Sequence, residues 1–289
     1  MHVHLDADLL VYRCGFAAEK QQWDVIDCEG GCEAAFTTKR EAMRFCDEAN
    51  EWPDDRRSFE VSKGDRLAEP VENALHNVRL MVDQIMLDLG VTEDEITLYL
   101  SGSTNYREGV ATLKPYKGNR DESHKPVHGP AIREYMKKHY TVNVSEDEEA
   151  DDVVGYSHYA MWLRDPDSTI IATVDKDIDM IPGLHYNFIK EESYYMTPEA
   201  SDRFFWKQLL MGDSTDNIPG IPGCGPAKAE KLLDGCELDC MYDVVREAYV
   251  KAYPDDPIAA LIENARLLWI RRHPNEWWVP PYEEDIPDE

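Results

Sequence analysis

The sequence predicts an α/β fold in which a mostly parallel central sheet with flanking helices gives way to a helical last third. Three observations carry this reading. Short β-branched and aromatic runs alternate with segments of helical period up to roughly residue 200, which is the pattern of strand–helix–strand units. Beyond that point only helical periodicity recurs. Hydrophobic residues make up 43% of the 289 positions, enough for one large core or a core with a smaller lobe.

Taken in order, "VHLD" reads as a short buried strand ending at Asp6, and "LLVYRCGFAAE" as the helix after it. Residues 20 to 69 read as an insertion with its own small α/β pattern. It comprises a hairpin around Gly30-Gly31 in "WDVIDCEGGCEAAF", a helix "TKREAMRFCDEAN" capped by Thr37 or Thr38, and a strand "SFEVSKG". Leu75, Val78, Val82, Ile85 and Leu89 recur at helical spacing and predict a helix from about Val71 to Leu89. "EITLYL" is a strand by its β-branched and aromatic content. The next window, "TNYREGVATLKPYKGNRDESHKPVHGP", is polar, basic and broken by Pro and Gly, and its length marks a functional loop. "YTVNV" and "STIIAT" are strands flanking the helix "EADDVVGYSHYAMWLR". The helical part comprises "PEASDRFFWKQLLMG", "GPAKAEKLL", "CMYDVVREAYVKAY" and "IAALIENARLLWIRR", before a frayed tail.

A formal net charge of −28 taken alone argues against a nucleic-acid partner. The charge is uneven, however. Between Arg107 and Lys138 the balance is +4, so the remainder carries −32. No apolar run approaches the roughly 18 residues of a membrane span, and "MHVHLDADLL" lacks a basic signal head, which points to a cytoplasmic protein without membrane partners. Seven cysteines without such a signal point to reduced thiols.

Acidic residues gather at predicted strand ends: Asp6 after the first strand, and Asp175 and Asp177 in "ATVDKDID". Glu149, Asp151 and Asp152 open the helix after "YTVNV", within the run "EDEEADD", and Asp213 and Asp216 lie in "MGDSTDN". In open parallel sheets ligands bind outside the carboxyl ends of the strands. A helix dipole favours one carboxylate by about 0.3–1 kcal/mol but does not offset the repulsion among several. Hard divalent cations would remove that conflict, with Mg²⁺ or Mn²⁺ suited to oxygen donors. On spacing alone this reading stands level with a scatter of surface acids.

"EADDVVGY", "TVDKDIDMIPG", "LKPYKGNR" and "MGDSTDNIPGIPGCGPAKAEKLL", in this order, resemble the 5′-nuclease (flap endonuclease-like) family. The look is that of bacteriophage 5′→3′ exonucleases and of the 5′-nuclease domain of bacterial DNA polymerase I. The similarity runs from Asp6 to about Leu233 apart from the insertion. The resemblance implies an α/β nuclease core over 1–200, a helical arch or clamp over 103–138, and a helical DNA-binding region over 201–289 with a helix–three-turn–helix module at 211–234. It further implies hydrolysis of phosphodiesters at or near 5′ ends with two Mg²⁺ or Mn²⁺ ions. Asp6, Glu149, Asp151 and Asp152 would belong to the first ion, Asp175 would lie between the two, and Asp177, Asp213 and Asp216 would serve the second. Lys117 would contact the scissile phosphate, with Arg120 and Arg13 nearby. Lys114 and Lys125 would add basic contacts to DNA in the window. Gly220, Gly223, Gly225 and Lys228 would hold the duplex backbone, with a K⁺ ion among the turn carbonyls. Implied partners are DNA with 5′ ends or flaps, single-strand/duplex junctions, RNA–DNA hybrids and replication proteins, with the chain acting as a monomer in a bacterial host cytoplasm. Many family members carry an Asp where this chain has Gly102, which puts one first-site carboxylate in question and leaves Asp8 as the nearby substitute.

Two other readings stand beside this one: a non-catalytic, structure-specific DNA-binding relative, and a ribonuclease on the same metal core. Cys28, Cys32 and Cys46 lack the spacing and the fourth ligand of a zinc site. His124 and His128 lie in the basic window, and Trp269, Trp277 and Trp278 read as packing residues.

Overall fold

The computed structural model describes residues 1–27, 31–50, 58–120 and 125–286. Cys28, Gly30 and His124 lie outside the described residues. The chain forms two compact units, one of Met1–Leu9, Gln84–His124 and Met136–Glu289, the other of Leu10–Asp83 and Lys125–Tyr135.

The first unit is organised by a six-stranded sheet. Its strands are β1 (His2–Asp6), β5 (Ile96–Leu100), β6 (Val142–Val144), β7 (Thr169–Ala172), β8 (Gly183–Asn187) and β9 (Glu192–Met196), arranged β6-β5-β1-β7-β8-β9. All neighbours run parallel except β8 and β9. β1, β5 and β7 are buried along nearly their whole length, as central strands covered on both faces are. The β8–β9 hairpin was not legible in the sequence: "GLHYN" and "ESYYM" carry polar and aromatic residues in no apolar run, and β9 is an edge strand with exposed positions. Helix α6 (Ala150–Trp162) buries Val153 and Val154.

The last third is helical as read. Helix α7 (Pro198–Met211) is capped by Thr197, whose hydroxyl accepts from the Ala200 amide. Helices α8 (Pro226–Leu233), α9 (Leu238–Ala252) and α10 (Pro257–Leu268) follow, and Phe205, Leu209, Val245, Tyr249 and Leu261 share one core with Val153, Val154 and Ile171 of the sheet layer. Helix α10 ends before "WIRR" because the amides of Arg271 and Arg272 turn to the carboxylates of Asp152 and Glu276. The sheet and these helices lie in the same compact unit.

The second unit holds the insertion: β2 (Glu19–Asp27), β3 (Cys32–Phe36) and β4 (Phe59–Ala68) form an antiparallel sheet ordered β3-β2-β4. Helix α2 (Lys39–Ala49) starts at Thr38, which accepts from the Glu41 amide, and the Phe36, Phe45 and Phe59 rings meet beneath it. The chain also forms helices α1 (Asp8–Ala17), α3 (Val71–Leu89) and α5 (Gly129–His139), and α3 matches the range its periodicity predicts. The basic window is not one helical arch: it holds the single-turn helix α4 (Arg107–Val110), an irregular stretch over 111–120 interrupted by Pro115 and Gly118, and then α5. Among the described residues no helix is long and apolar enough to cross a membrane.

A column of imidazoles runs through the first unit, His4 lying 5.8 Å from His158, and His158 6.3 Å from His185. Burial, with the neighbouring imidazole, lowers His158 to about 3, and burial lowers His185 to about 4, from 6.5. A folded pKa below the unfolded one gives stability that is full above about pH 6.5 and lost as pH falls towards 4 and then 3. The slope reaches about 1.4 kcal/mol per pH unit per histidine. Urea midpoints measured from pH 7 to 4 should fall less steeply for His185→Gln than for the parent; parallel curves would contradict this.

Candidate metal centre and basic strap

Because β1, β5, β6 and β7 are parallel, their carboxyl ends lie along one edge of the sheet. Asp6 is the last residue of β1, is 3% exposed, and accepts from the Thr173 hydroxyl at 3.1 Å. That hydroxyl accepts from the Asp175 amide at 3.0 Å, Asp175 accepts from the Asp177 amide at 2.9 Å, and Asp177 accepts from Gln208 Nε2 at 2.6 Å. The loop after β7 is thus wound by its own acids. Asp8 accepts from the Ser101 amide at 2.8 Å, and Ser101 Oγ accepts from the Ala150 amide at 3.0 Å, which ties the end of β5 to the start of α6.

The electrostatics shows which of these acids act on one another. Burial, and then the charges of Asp8 and Asp175, raise Asp6 to about 7 against the Thr173 hydrogen bond. Burial and then Asp6, Glu149 and Asp175 push Asp151 well up. Burial and then Asp175 and Asp213 raise Asp177 to about 7. Buried carboxylates that raise one another would suit a hard divalent ion in charge and in donor chemistry. No ion pair joins Asp6, Asp151, Asp175, Asp177 or Asp213 to a cation among the described residues. As they stand, no three acidic, His or Cys groups among the described residues are close enough together to hold a metal ion.

Three of the acids expected here face other partners. Asp152 departs from its expected role as a ligand. Its carboxylate is fully buried and takes Arg107 Nη1 at 2.5 Å and Nη2 at 2.9 Å, together with the amides of Glu149 and Arg271. Glu149, the N-cap of α6, receives Tyr116 Oη at 2.9 Å and Lys117 Nζ, with Arg107 Nη1 at 3.8 Å. Burial would raise its pKa, but Arg107 and Lys117 hold it below the usual value. Asp216 receives Tyr116 Oη at 2.9 Å and Arg120 Nη2, with Lys117 Nζ at 3.6 Å.

These partners come from the stretch 107–120, which forms a strap clamped at three places. Arg107 anchors its start, donating also to the carbonyls of Leu267 and Trp269. Glu263 of α10 accepts the amides of Thr112 and Leu113 at 2.8 and 2.7 Å. The loop after α7 holds the far end: the Lys117 amide donates to Asp216 O, Asn217 Nδ2 to Pro115 O, and Asn119 Nδ2 to Ser214 O. Arg107, Tyr116 and Glu263 were not legible as site-shaping residues. Arg107 counts in sequence as one more base of a basic window, and nothing local to Glu263 announces its partners.

Gly102 is set by sterics. A Cβ there would collide with the Ser145 carbonyl oxygen, and the Gly102 amide donates to Ser145 Oγ at 3.1 Å. Among the turn glycines, Gly220 is buried with φ +54, donates to Asn264 Oδ1 at 3.1 Å and accepts from Tyr253 Oη at 2.5 Å. It therefore shapes the loop rather than offering its amide outward, as the sequence reading expected. Gly223, Gly225 and Lys228 are exposed at the start of α8, and Lys114 is exposed on the strap. Arg13 and Lys125 are exposed in the second unit.

In sequence the chain is similar to proteins named DNA polymerase I and flap endonuclease Xni, in line with the resemblance its motifs carry. DNA polymerase I of Bacillus subtilis (strain 168) is 31% identical over 176 residues, 51% of this chain and 19% of that protein. Flap endonuclease Xni of Shewanella piezotolerans (strain WP3 / JCM 13877) is 31% identical over 113 residues, 35% of this chain and 43% of the relative. The T5 D15 protein co-crystallised with metal ions shares the fold, with a TM-score of 0.52 at 15% identity over 67% of this chain and 82% of its own. The chain thus spans about a fifth of the polymerase and about two fifths of Xni. No protein-family profile matches it.

Two measurements follow from this geometry. Arg107→Met leaves the Asp152 charge buried without its partner, and denaturant unfolding should show a loss of about 3–5 kcal/mol. Much of that should return in the Arg107→Met/Asp152→Leu pair; a single variant as stable as the parent would refute the role. For Asp177, a folded pKa of about 7 above the unfolded 3.8 means its contribution to stability is present below about pH 3.8 and lost as pH rises through 7. In chelator at pH 8, Asp177→Asn should therefore raise the thermal midpoint, by a gain of about 1–2 kcal/mol. Mg²⁺ should stabilise the parent more than the variant.

Proposed function

We propose that the chain is a divalent-metal-dependent 5′-nuclease that hydrolyses phosphodiester bonds at or near the 5′ ends of DNA, as an exonuclease or at flaps. One observation carries the proposal: buried carboxylates on three different chain segments raise one another at the carboxyl edge of a parallel sheet, beside a strap bearing Lys117 and Arg120. Binding alone gains nothing from acids beside phosphates. The relatives named flap endonuclease and DNA polymerase I add weight from sequence.

In this reading Asp6, Asp151, Asp175 and Glu149 would hold one ion, and Asp175, Asp177, Asp213 and Asp216 the other, each Mg²⁺ or Mn²⁺. Two such ions supply an activated water and stabilise the leaving oxygen of a phosphodiester. Thr173 and Gln208 orient Asp6 and Asp177, and the Ser101–Ala150 hydrogen bond sets the start of α6 against β5. Lys117 and Arg120 carry fixed positive charge where negative charge develops on the phosphoryl oxygens. The turns between α7 and α8 would act as a helix–three-turn–helix that grips duplex through exposed amides at Gly223 and Gly225 and through Lys228, without reading sequence. A K⁺ ion among the turn carbonyls, action on RNA–DNA hybrids, monomeric action in a bacterial cytoplasm and replication partners belong to the same reading.

The test is a duplex with a 5′ single-stranded flap labelled at either end, in Mg²⁺ or chelator. Metal-dependent release of 5′ products is expected, with Asp175→Asn slowing it by about 100-fold or more. Tight binding without cleavage in Mg²⁺ or Mn²⁺ would refute the nuclease reading and leave a structure-specific DNA-binding protein.

A further inference from the structure

We propose that Tyr116, Lys117 and Arg120 are built-in counter-groups for Glu149 and Asp216, so that divalent-ion binding at these two acids and release of the strap are one coupled equilibrium. The inference rests on the two-metal reading and concerns what the strap does to it. All four carboxylate oxygens of the two acids have a strap donor. Glu149 Oε1 takes Lys117 Nζ and Oε2 takes Tyr116 Oη, while Asp216 Oδ1 takes Arg120 Nη2 and Oδ2 takes Tyr116 Oη.

The donors are placed by backbone, not by long flexible side chains alone. Lys117 sits at φ +54, in the left-handed region that non-glycine residues occupy only when surroundings hold them there. Its amide is bonded to Asp216 O at 2.9 Å, so the strap donates through both main chain and side chains to the same residue. Lys117 Nζ also lies 4.9 Å from the centre of the Tyr116 ring. One hydroxyl has a single hydrogen, so Tyr116 serves Glu149 and Asp216 in alternation and links the acids assigned to different ions. With their oxygens drawn to the strap, Glu149 and Asp216 do not close with Asp6, Asp151 or Asp213, which agrees with the absence of a ready three-donor group among the described residues.

Linkage makes the consequence reciprocal. An ion that recruits Glu149 has to displace Lys117, and that loosens the strap. Anything that draws Lys117 and Arg120 away, as a phosphodiester would, strengthens ion binding. Tyr116, Lys117 and Arg120 are positioning residues in this respect, and their effect shows without any turnover.

The experiment is a Mn²⁺ titration of the full chain without DNA, following free ion by electron paramagnetic resonance, for the parent, Lys117→Met and Tyr116→Phe. Lys117→Met should bind the ion about 5-fold tighter or more, the lower end of ordinary coupling. Hydrogen exchange of the Lys117 amide in the parent should speed up on Mn²⁺ addition, a readout that needs no variant to fold. Equal or weaker Mn²⁺ affinity in Lys117→Met, or an unchanged amide, would overturn the coupling while leaving a flap-cleaving parent as a nuclease. A parent that binds no Mn²⁺ would overturn both readings.

Discussion

Repulsion among carboxylates gathered at one edge of a parallel sheet is the constraint around which the first unit is arranged. Parallel strands end on the same side, so every acid that closes a strand or opens the next helix is brought towards the others. Burial then prevents water from screening them, and Asp6, Asp151 and Asp177 hold their protons far more tightly than exposed carboxyls do. The dipole at the start of α6 offers only about 0.3–1 kcal/mol of relief. The protein answers with cations from one stretch of chain, Arg107 to Arg120, which pair with Asp152, Glu149 and Asp216 and leave Asp6, Asp151 and Asp177 without one among the described residues.

Asp151 and Asp152 show how finely that division is drawn. Adjacent helical residues point about 100° apart, so neighbours in sequence face different surroundings. Asp151 looks to the strand ends and meets other acids. Asp152 looks to the C-terminal segment and meets Arg107, the Arg271 amide and full burial. One stays among acids, and the other becomes the pin that fastens the strap, and through the Leu267 and Trp269 carbonyls the end of α10, to the same helix.

Much of this architecture was legible in sequence because it follows from local pattern. Strand runs, the period of α3, the cap at Thr38 and the acids at strand ends each arise from neighbours in the chain. What escaped depends on partners far away. Arg107 and Asp152 are 45 residues apart, and Glu263 and Thr112 are 151 apart, with no periodicity to join them. The β8–β9 hairpin escaped because its register comes from pairing at the sheet edge, not from an apolar run. Gly102 looked like a lost carboxylate, yet the close approach of Ser145 leaves no room for any side chain there. Asp8 accepts from the neighbouring Ser101 amide, and its charge raises Asp6. The absence of a side chain at this position is therefore set by a backbone contact between the ends of β5 and β6.

The same view bears on how a net charge of −28 would be compatible with the proposed phosphate-bearing partner. Part of the basic window is internally engaged: Arg107 is committed to Asp152, and Lys117 and Arg120 are engaged with Glu149 and Asp216. With those cations internally paired, the surface potential is dominated by the acidic remainder, which repels nucleic acid at long range. Divalent ions at the acids would reverse both terms at once, cancelling carboxylate charge and returning Lys117 and Arg120 to the strap surface. Affinity for a phosphodiester would then be highest when the centre is loaded, and an acidic protein could ignore DNA until it was equipped to act on it.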